Sequence, residues 1–181
     1  MRIAAFLLVL AFTLRAQQDE TGVGEITGFF GGVTGIDTHP AGGFTFASPT
    51  SRHLVPYLEV CYASLGTYDF RSGFLNGTAN LRQSRMYDVN GGAHVRFPNR
   101  THAVPYIGAG IGLLRFSSDL ESAALSGNTT VHAGANYLAG NLSGGVRYYI
   151  TNHVGVRPEV KGYLGNKNFI RFAVGLFYQF P

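Results

Sequence analysis

The feature that most constrains this chain is alternation with a period of two, sustained over segments of ten residues or more. In FIRFAVGLFYQF, one parity reads Ile170, Phe172, Val174, Leu176, Tyr178, Phe180, and the other reads Arg171, Ala173, Gly175, Phe177, Gln179. Successive side chains of a strand point to opposite faces, so one face is wholly apolar and the other mixed. The pattern recurs in MYDVNGGAHVRF, with Tyr87, Val89, Ala93, Val95 and Phe97 against Asp88, Asn90, His94 and Arg96. It recurs again in LAGNLSGGVRYYI and VGVRPEVKGYL. Helical spacing is poor in all of these windows, and 25 glycines in 181 residues weaken any helix. Ordinary strands run five or six residues; about ten is what a tilted strand needs to cross hydrocarbon.

Eight strands follow, at 22–33, 42–48, 54–67, 81–97, 103–116, 131–150, 154–164 and 169–180. Connections after the second, fourth and sixth are short: SPTSRH, PNRTH and TNH. Those after the first, third and fifth are longer, leaving loops at 34–41, 68–80 and 117–130. An even strand count, with short turns at one end and long loops at the other, predicts an eight-stranded antiparallel transmembrane β-barrel. Closure removes every unpaired edge, which a lipid environment demands. The short turns carry His53, His102 and His153, each leading into a similar strand (HLVPYLEV, HAVPYIGA, HVGVRPEV), so the unit is a strand pair.

The first residues, MRIAAFLLVLAFTLRAQ, place a positive Arg2 before an apolar run of about a dozen residues and a small Ala16. That is the layout of a secretory signal peptide, expected to span 1–16 and leave 17–181 as the barrel domain. The single cysteine, Cys61, excludes an internal disulfide scaffold. A formal charge of +4, two units of it in Arg2 and Arg15, is too weak a bias to imply nucleic acid.

GGVRYYITNHVGVRPEVKGY at 144–163 and VPYIGAGIGLLRF at 104–116 resemble the small outer-membrane β-barrel family, the OmpA/OmpX-like domain. The resemblance covers 22–180 and implies a location in the cell outer membrane, surrounded by lipid and lipopolysaccharide. It also implies a C-terminal signal read by the barrel-assembly machinery, with Gly175, Tyr178 and Phe180 at the matching positions. Ala173 and Pro181 depart from that signal: the family prefers a polar residue at the first and ends before the second.

An eight-stranded barrel is just wide enough for its lumen to fill with side chains. The inward parity collects Glu25, Glu59, Asp88 and Glu159 against Arg96, Arg147, Arg157, Lys161 and Arg171, four acids against five bases. Buried charges are costly unless paired, so near balance implies an ion-pair network that plugs the lumen. The lipid face collects Phe44, Phe46, Leu58, Val60, Val89, Val95, Ile107, Ile111, Leu142, Val146, Val160, Phe172, Val174 and Leu176, with Tyr148, Phe97, Tyr178 and Phe180 as a periplasmic aromatic belt. No metal site is expected from the three turn histidines, no cofactor is implied, and no nucleophile motif marks an enzyme. His132 with Ser126 or Ser143 is the nearest approach to the His–Ser pair of lipid A-modifying barrels.

The expected function is therefore an integral, monomeric outer-membrane barrel with a structural or surface-interaction role, its outer loops open to an extracellular ligand. The alternatives are a small or gated passive channel, a lipid A-modifying enzyme, and a soluble lipocalin-like barrel with an apolar interior and polar exterior.

Overall fold

The computed structural model describes residues 24–34, 38–66, 68–71, 78–99, 101–124, 127–165 and 168–180, with the backbone alone over 68–71, 78–83, 118–124 and 127–133. The expected signal peptide at 1–16 lies outside the described residues. Among the described residues every regular element is a strand: β1 (Gly24–Thr34), β2 (Thr38–Ala47), β3 (Leu54–Ser64), β4 (Tyr68–Arg71), β5 (Thr78–Arg96), β6 (Ala103–Ala124), β7 (Gly127–Tyr149), β8 (Val154–Leu164) and β9 (Phe169–Phe180).

All pairings are antiparallel, and the sheet closes on itself. β1 pairs with β9 from Gly24↔Phe180 to Thr34↔Ile170, which joins the two ends of the barrel domain. β3 and β4 lie end to end along β5, with Leu54↔Val95 to Ser64↔Arg85 for the first and Tyr68↔Leu81 to Arg71↔Thr78 for the second. They are one wall strand with an interruption, so the nine segments make an eight-stranded barrel. The interruption has a local cause. Gly66 sits at φ 76°, a left-handed conformation that glycine tolerates. Its carbonyl accepts from Ser84 N–H, while Leu65 N–H donates to the Ser84 carbonyl, and the β5–β6 register shifts between Arg82 and Arg85.

Among the described residues the strand ends differ from the sequence expectation by more than one residue on one side of the barrel only. β2 begins at Thr38, β5 at Thr78, β6 runs to Ala124 and β7 starts at Gly127. Much of the expected loops 34–41, 68–80 and 117–130 is therefore strand. These stretches are rich in Ser, Thr, Ala, Asn and Gly and lack alternation. Past the lipid both faces of a strand can be wet, so nothing forces the pattern that reveals strands within the band.

The expected lipid-face residues point outward. Phe44, Phe46, Ile107, Ile111, Leu142, Phe172, Val174 and Leu176 are all exposed, and so is Phe30, by 70%, which the sequence reading did not name. The inward face is filled, and inward glycines give the larger side chains room to lie across the lumen. At Gly108 a Cβ would come within 2.5 Å of the His94 ring and 2.6 Å of Ser143 Oγ. At Gly155 it would collide with the Phe177 ring.

Candidate functional site

On β1, β5 and β7 the inward residues are polar toward the short-turn end and apolar toward the long-hairpin end. The apolar layer packs Val33, Ala41, Ala63, Met86, Leu114 and Ala139 together. Below it lies the charged interior. Glu59 on β3 is its hub. Its carboxylate accepts from Arg171 in bidentate fashion, Nη1 at 2.7 Å and Nη2 at 3.2 Å, and from Lys161 Nζ at 2.7 Å. Asn90 Nδ2 at 3.2 Å and Thr45 Oγ1 at 3.1 Å complete the shell. A carboxylate offers about four lone-pair sites, and this one is saturated.

Glu159 on β8 accepts from Arg171 Nη2 at 2.7 Å and from the Tyr106 hydroxyl at 2.7 Å. Lys161 Nζ and Arg157 Nε each stand 3.9 Å from it. Glu25, near the short turns, accepts from Arg147 Nη1 and from Gln179 Nε2 at 3.1 Å, with Arg157 Nη1 at 3.8 Å. Arg157 also donates to Thr45 Oγ1 at 3.0 Å. The guanidinium of Arg171 lies 4.3 Å from the Phe29 ring centroid, and Lys161 Nζ lies 4.9 Å from that of Tyr57. Both cations thus have aromatic faces where water would otherwise be.

Of the nine charged residues nominated from the sequence, seven meet in ion pairs: Glu25, Glu59, Glu159, Arg147, Arg157, Lys161 and Arg171. Asp88 and Arg96 are buried but stand apart from them. Asp88 accepts from Asn90 Nδ2 and the Tyr163 hydroxyl, both at 2.7 Å, and Arg96 donates to the Ser51 carbonyl at 3.1 Å. Parity did not disclose the part played by tyrosine. Tyr57, Tyr106 and Tyr163 all read as inward aromatics, and only the fold shows their hydroxyls hydrogen-bonded to Asn141, Glu159 and Asp88.

His94 lies stacked against Tyr57, centroids 4.3 Å apart, and tilted against Tyr106 at 4.6 Å. Its nearest carboxylate oxygen, on Glu159, is 3.9 Å away, and neither ring nitrogen has a hydrogen-bond partner among the described residues. Nothing there orients it as a base. Ser143 is buried in the lumen, away from the lipid face, and Ser126 lies outside the described residues. His53, His102 and His153 are exposed on three turns, where their carbonyls accept from Arg96, Tyr149 and Gln179 N–H groups. Ser51, Thr101 and Thr151 hydroxyls accept from the backbone N–H groups that follow them, which explains why the turn sequence repeats. Among the described residues no group of three or more His, Cys, Asp or Glu is placed to hold a metal ion.

Gly175 faces inward and pairs with Phe29 and Arg157. Tyr178 and Phe180 face outward at the short-turn end, their rings 5.2 Å apart, and Tyr148 and Phe97 are exposed at the same end of other strands. From Tyr87 on β5 to Phe97, one residue past its end, the outward residues span ten positions. At about 3.3 Å per residue and a tilt near 40°, that is a band about 25 Å tall, the height expected of a membrane barrel. Tyr62 and Tyr87 close the far side of the band, with ring centroids 5.3 Å apart.

No protein-family model matches the sequence, and no curated protein is similar to it by sequence. Solved structures are similar to the fold. The N-terminal β-barrel domain of Pseudomonas aeruginosa OprF superposes with a TM-score of 0.59 at 14% identity, covering 88% of this chain and 98% of that one. Neisserial surface protein A gives 0.60 at 13% identity, covering 87% and 96%. Ail, the attachment invasion locus protein of Yersinia pestis, in complex with the heparin analogue sucrose octasulfate, gives 0.56 at 10% identity, covering 88% and 99%. The chain has the fold of the small outer-membrane β-barrels.

Proposed function

We propose that the chain is an integral barrel of the cell outer membrane, with a structural and surface-interaction role. One observation carries this reading: a closed wall of exposed apolar side chains, about 25 Å tall between two aromatic rims, surrounds a lumen packed with charge. A soluble lipocalin-like barrel requires the opposite arrangement, with apolar residues inside. In water such a wall would far exceed the few hundred Å² of contiguous apolar surface usual for a soluble monomer.

The interior favours a plug over a channel. Glu59, Glu159 and Glu25 tie β1, β3, β7, β8 and β9 together across the lumen, and the apolar layer from Val33 to Ala139 lies over them. An ion would have to break charge-assisted bonds and then cross side chains that offer it no ligands. In this reading 1–16 is removed on export, Gly175, Tyr178 and Phe180 present the assembly signal to the barrel-assembly machinery, and lipid with lipopolysaccharide surrounds a monomer. The long β5–β6–β7 extensions stand past the lipid and supply the surface for an extracellular ligand. Ail, which has this fold, was solved in complex with a heparin analogue, and that supports a ligand-binding reading. The role requires no cofactor, nucleic acid or catalytic group.

The test is electrophoresis of protein folded in detergent, boiled and unboiled, together with planar-bilayer recording. Distinct mobility before boiling and no unitary current steps are expected. Recovery as a soluble protein with one mobility would sink the membrane reading, and reproducible steps would replace the plug with the channel.

A further inference from the structure

The barrel wall is closed, but the sheet that stands past it is not. β7 pairs with β6 along its whole length, from Gly127 to Tyr148, and with β8 only from Gly140 to Tyr149. Among the described residues, nothing pairs with 127–139 on the β8 side. The backbone groups on that open side can be identified. Tyr149 N–H donates to the His102 carbonyl at the start of β6, and Ile150 N–H donates to the Val154 carbonyl of β8, both at 2.9 Å. Neighbouring residues in a strand aim their N–H and C=O in opposite directions, and the β6–β7 register runs without a bulge. Odd-numbered residues of β7 therefore serve β6, while Asn128, Thr130, His132, Gly134 and Asn136 present their N–H and C=O groups to the open edge.

Proteins blunt such edges with lysine, proline, bulges or inward charges. The stretch GNTTVHAGANYLA, 127–139, has no Asp, Glu, Lys, Arg or Pro. A strand with net charge repels its own copy and gives a foreign strand something to recognise. A neutral strand does neither, so its pairing rests on the backbone ladder, which a second copy satisfies fully. Centred on His132, an antiparallel copy places Asn128 opposite Asn136 and Thr130 opposite Gly134, so that even residues meet even residues and every open group finds a partner.

The orientation follows from the tilt. Two barrels in one membrane are related by an axis along its normal, which would cross their β7 strands at about twice the tilt, ~80°, where paired strands differ by about 20–25°. A two-fold axis lying parallel to two facing membranes, perpendicular to the extended sheets, sets the strands antiparallel with no such crossing. We propose that the β7 edge from Asn128 to Asn136 pairs antiparallel with the same edge of a second copy in a facing membrane. The barrel is then a homotypic link between two outer-membrane surfaces, monomeric within its own. This rests on the membrane reading above.

The experiment inserts the protein into phosphatidylcholine vesicles, checks insertion by the boiled and unboiled gel, and follows vesicle clustering by light scattering. Inserted wild type clusters vesicles. His132→Pro and Asn136→Pro, which remove open-edge N–H groups and no β6 hydrogen bond, lower the clustering rate by at least about tenfold. The double variant Asn128→Lys/Asn136→Lys, which sets lysine against lysine, does the same if either proline disturbs insertion. Amide exchange at the even residues slows on clustering. Inserted protein that leaves vesicles dispersed, or clustering indifferent to the variants, would overturn the proposal. So would even-residue amides already protected in dilute micelles, or protected only when an unrelated polypeptide is added. Failure of insertion itself would strike the membrane reading instead.

Discussion

Replacing Glu59 with glutamine tests the charged interior at its hub. The substitution keeps shape and removes one negative charge. Arg171 retains Glu159 at 2.7 Å, but Lys161 loses the nearer of its two carboxylates among the described residues, keeping only Glu159 at 3.9 Å from its Nζ. Lys161 is 0% exposed and has no route to water short of opening the wall. Among the nine charges the balance moves from four acids against five bases to three against five. Removing one partner of a buried pair costs about 3–5 kcal/mol, since the other charge remains desolvated. Glu59→Gln should therefore lower unfolding stability by about that amount, measured by urea titration in lipid vesicles with loss of the unboiled gel band as readout. Glu59→Gln combined with Lys161→Met restores the excess to a single positive charge and leaves an apolar chain beside Tyr57. The double variant should recover most of the loss. A single variant within about 0.5 kcal/mol of wild type, or a double variant no better than the single, would refute the reasoning.

Three further outcomes are expected. Leu176→Arg places a cation on the lipid face near mid-band and should cost about 2–4 kcal/mol in the same titration; a neutral result would mean that this face does not meet hydrocarbon. Gly155→Leu drives a side chain into the Phe177 ring and the β7 backbone, so the unboiled, fast-migrating band should vanish, and a normal band would show that the lumen has spare room there. The chain has no tryptophan, so Phe172→Trp gives a single reporter, which should be quenched strongly by brominated lipid; unquenched emission would remove Phe172 from the lipid face.

Inside the band, the fold was legible because lipid imposes a rule on every second residue. From Phe97, just past β5, to Tyr87, or from Phe180 to Ile170 on β9, one parity must be apolar, and the written pattern is the structure's pattern. Above the band the rule lapses, and the strands through 117–124 and 127–130 could not be told from loop. The interior was legible as a set of residues but not as a set of partners. Parity gathers nine charges onto one face; it cannot say that Arg171 bridges Glu59 and Glu159 while Asp88 turns to Tyr163.

By itself, then, the sequence determined period, strand number within lipid, and which residues of each strand share a face, because these follow from neighbours along one chain. Only the tertiary structure decided the register, and with it the hub at Glu59, the glycines that make room for His94 and Phe177, and the open edge of β7. Those depend on which residues of distant strands come to share a row. That is set by closure of the whole barrel, where a shift of one residue between β1 and β9 would turn Glu25 or Arg171 to the lipid.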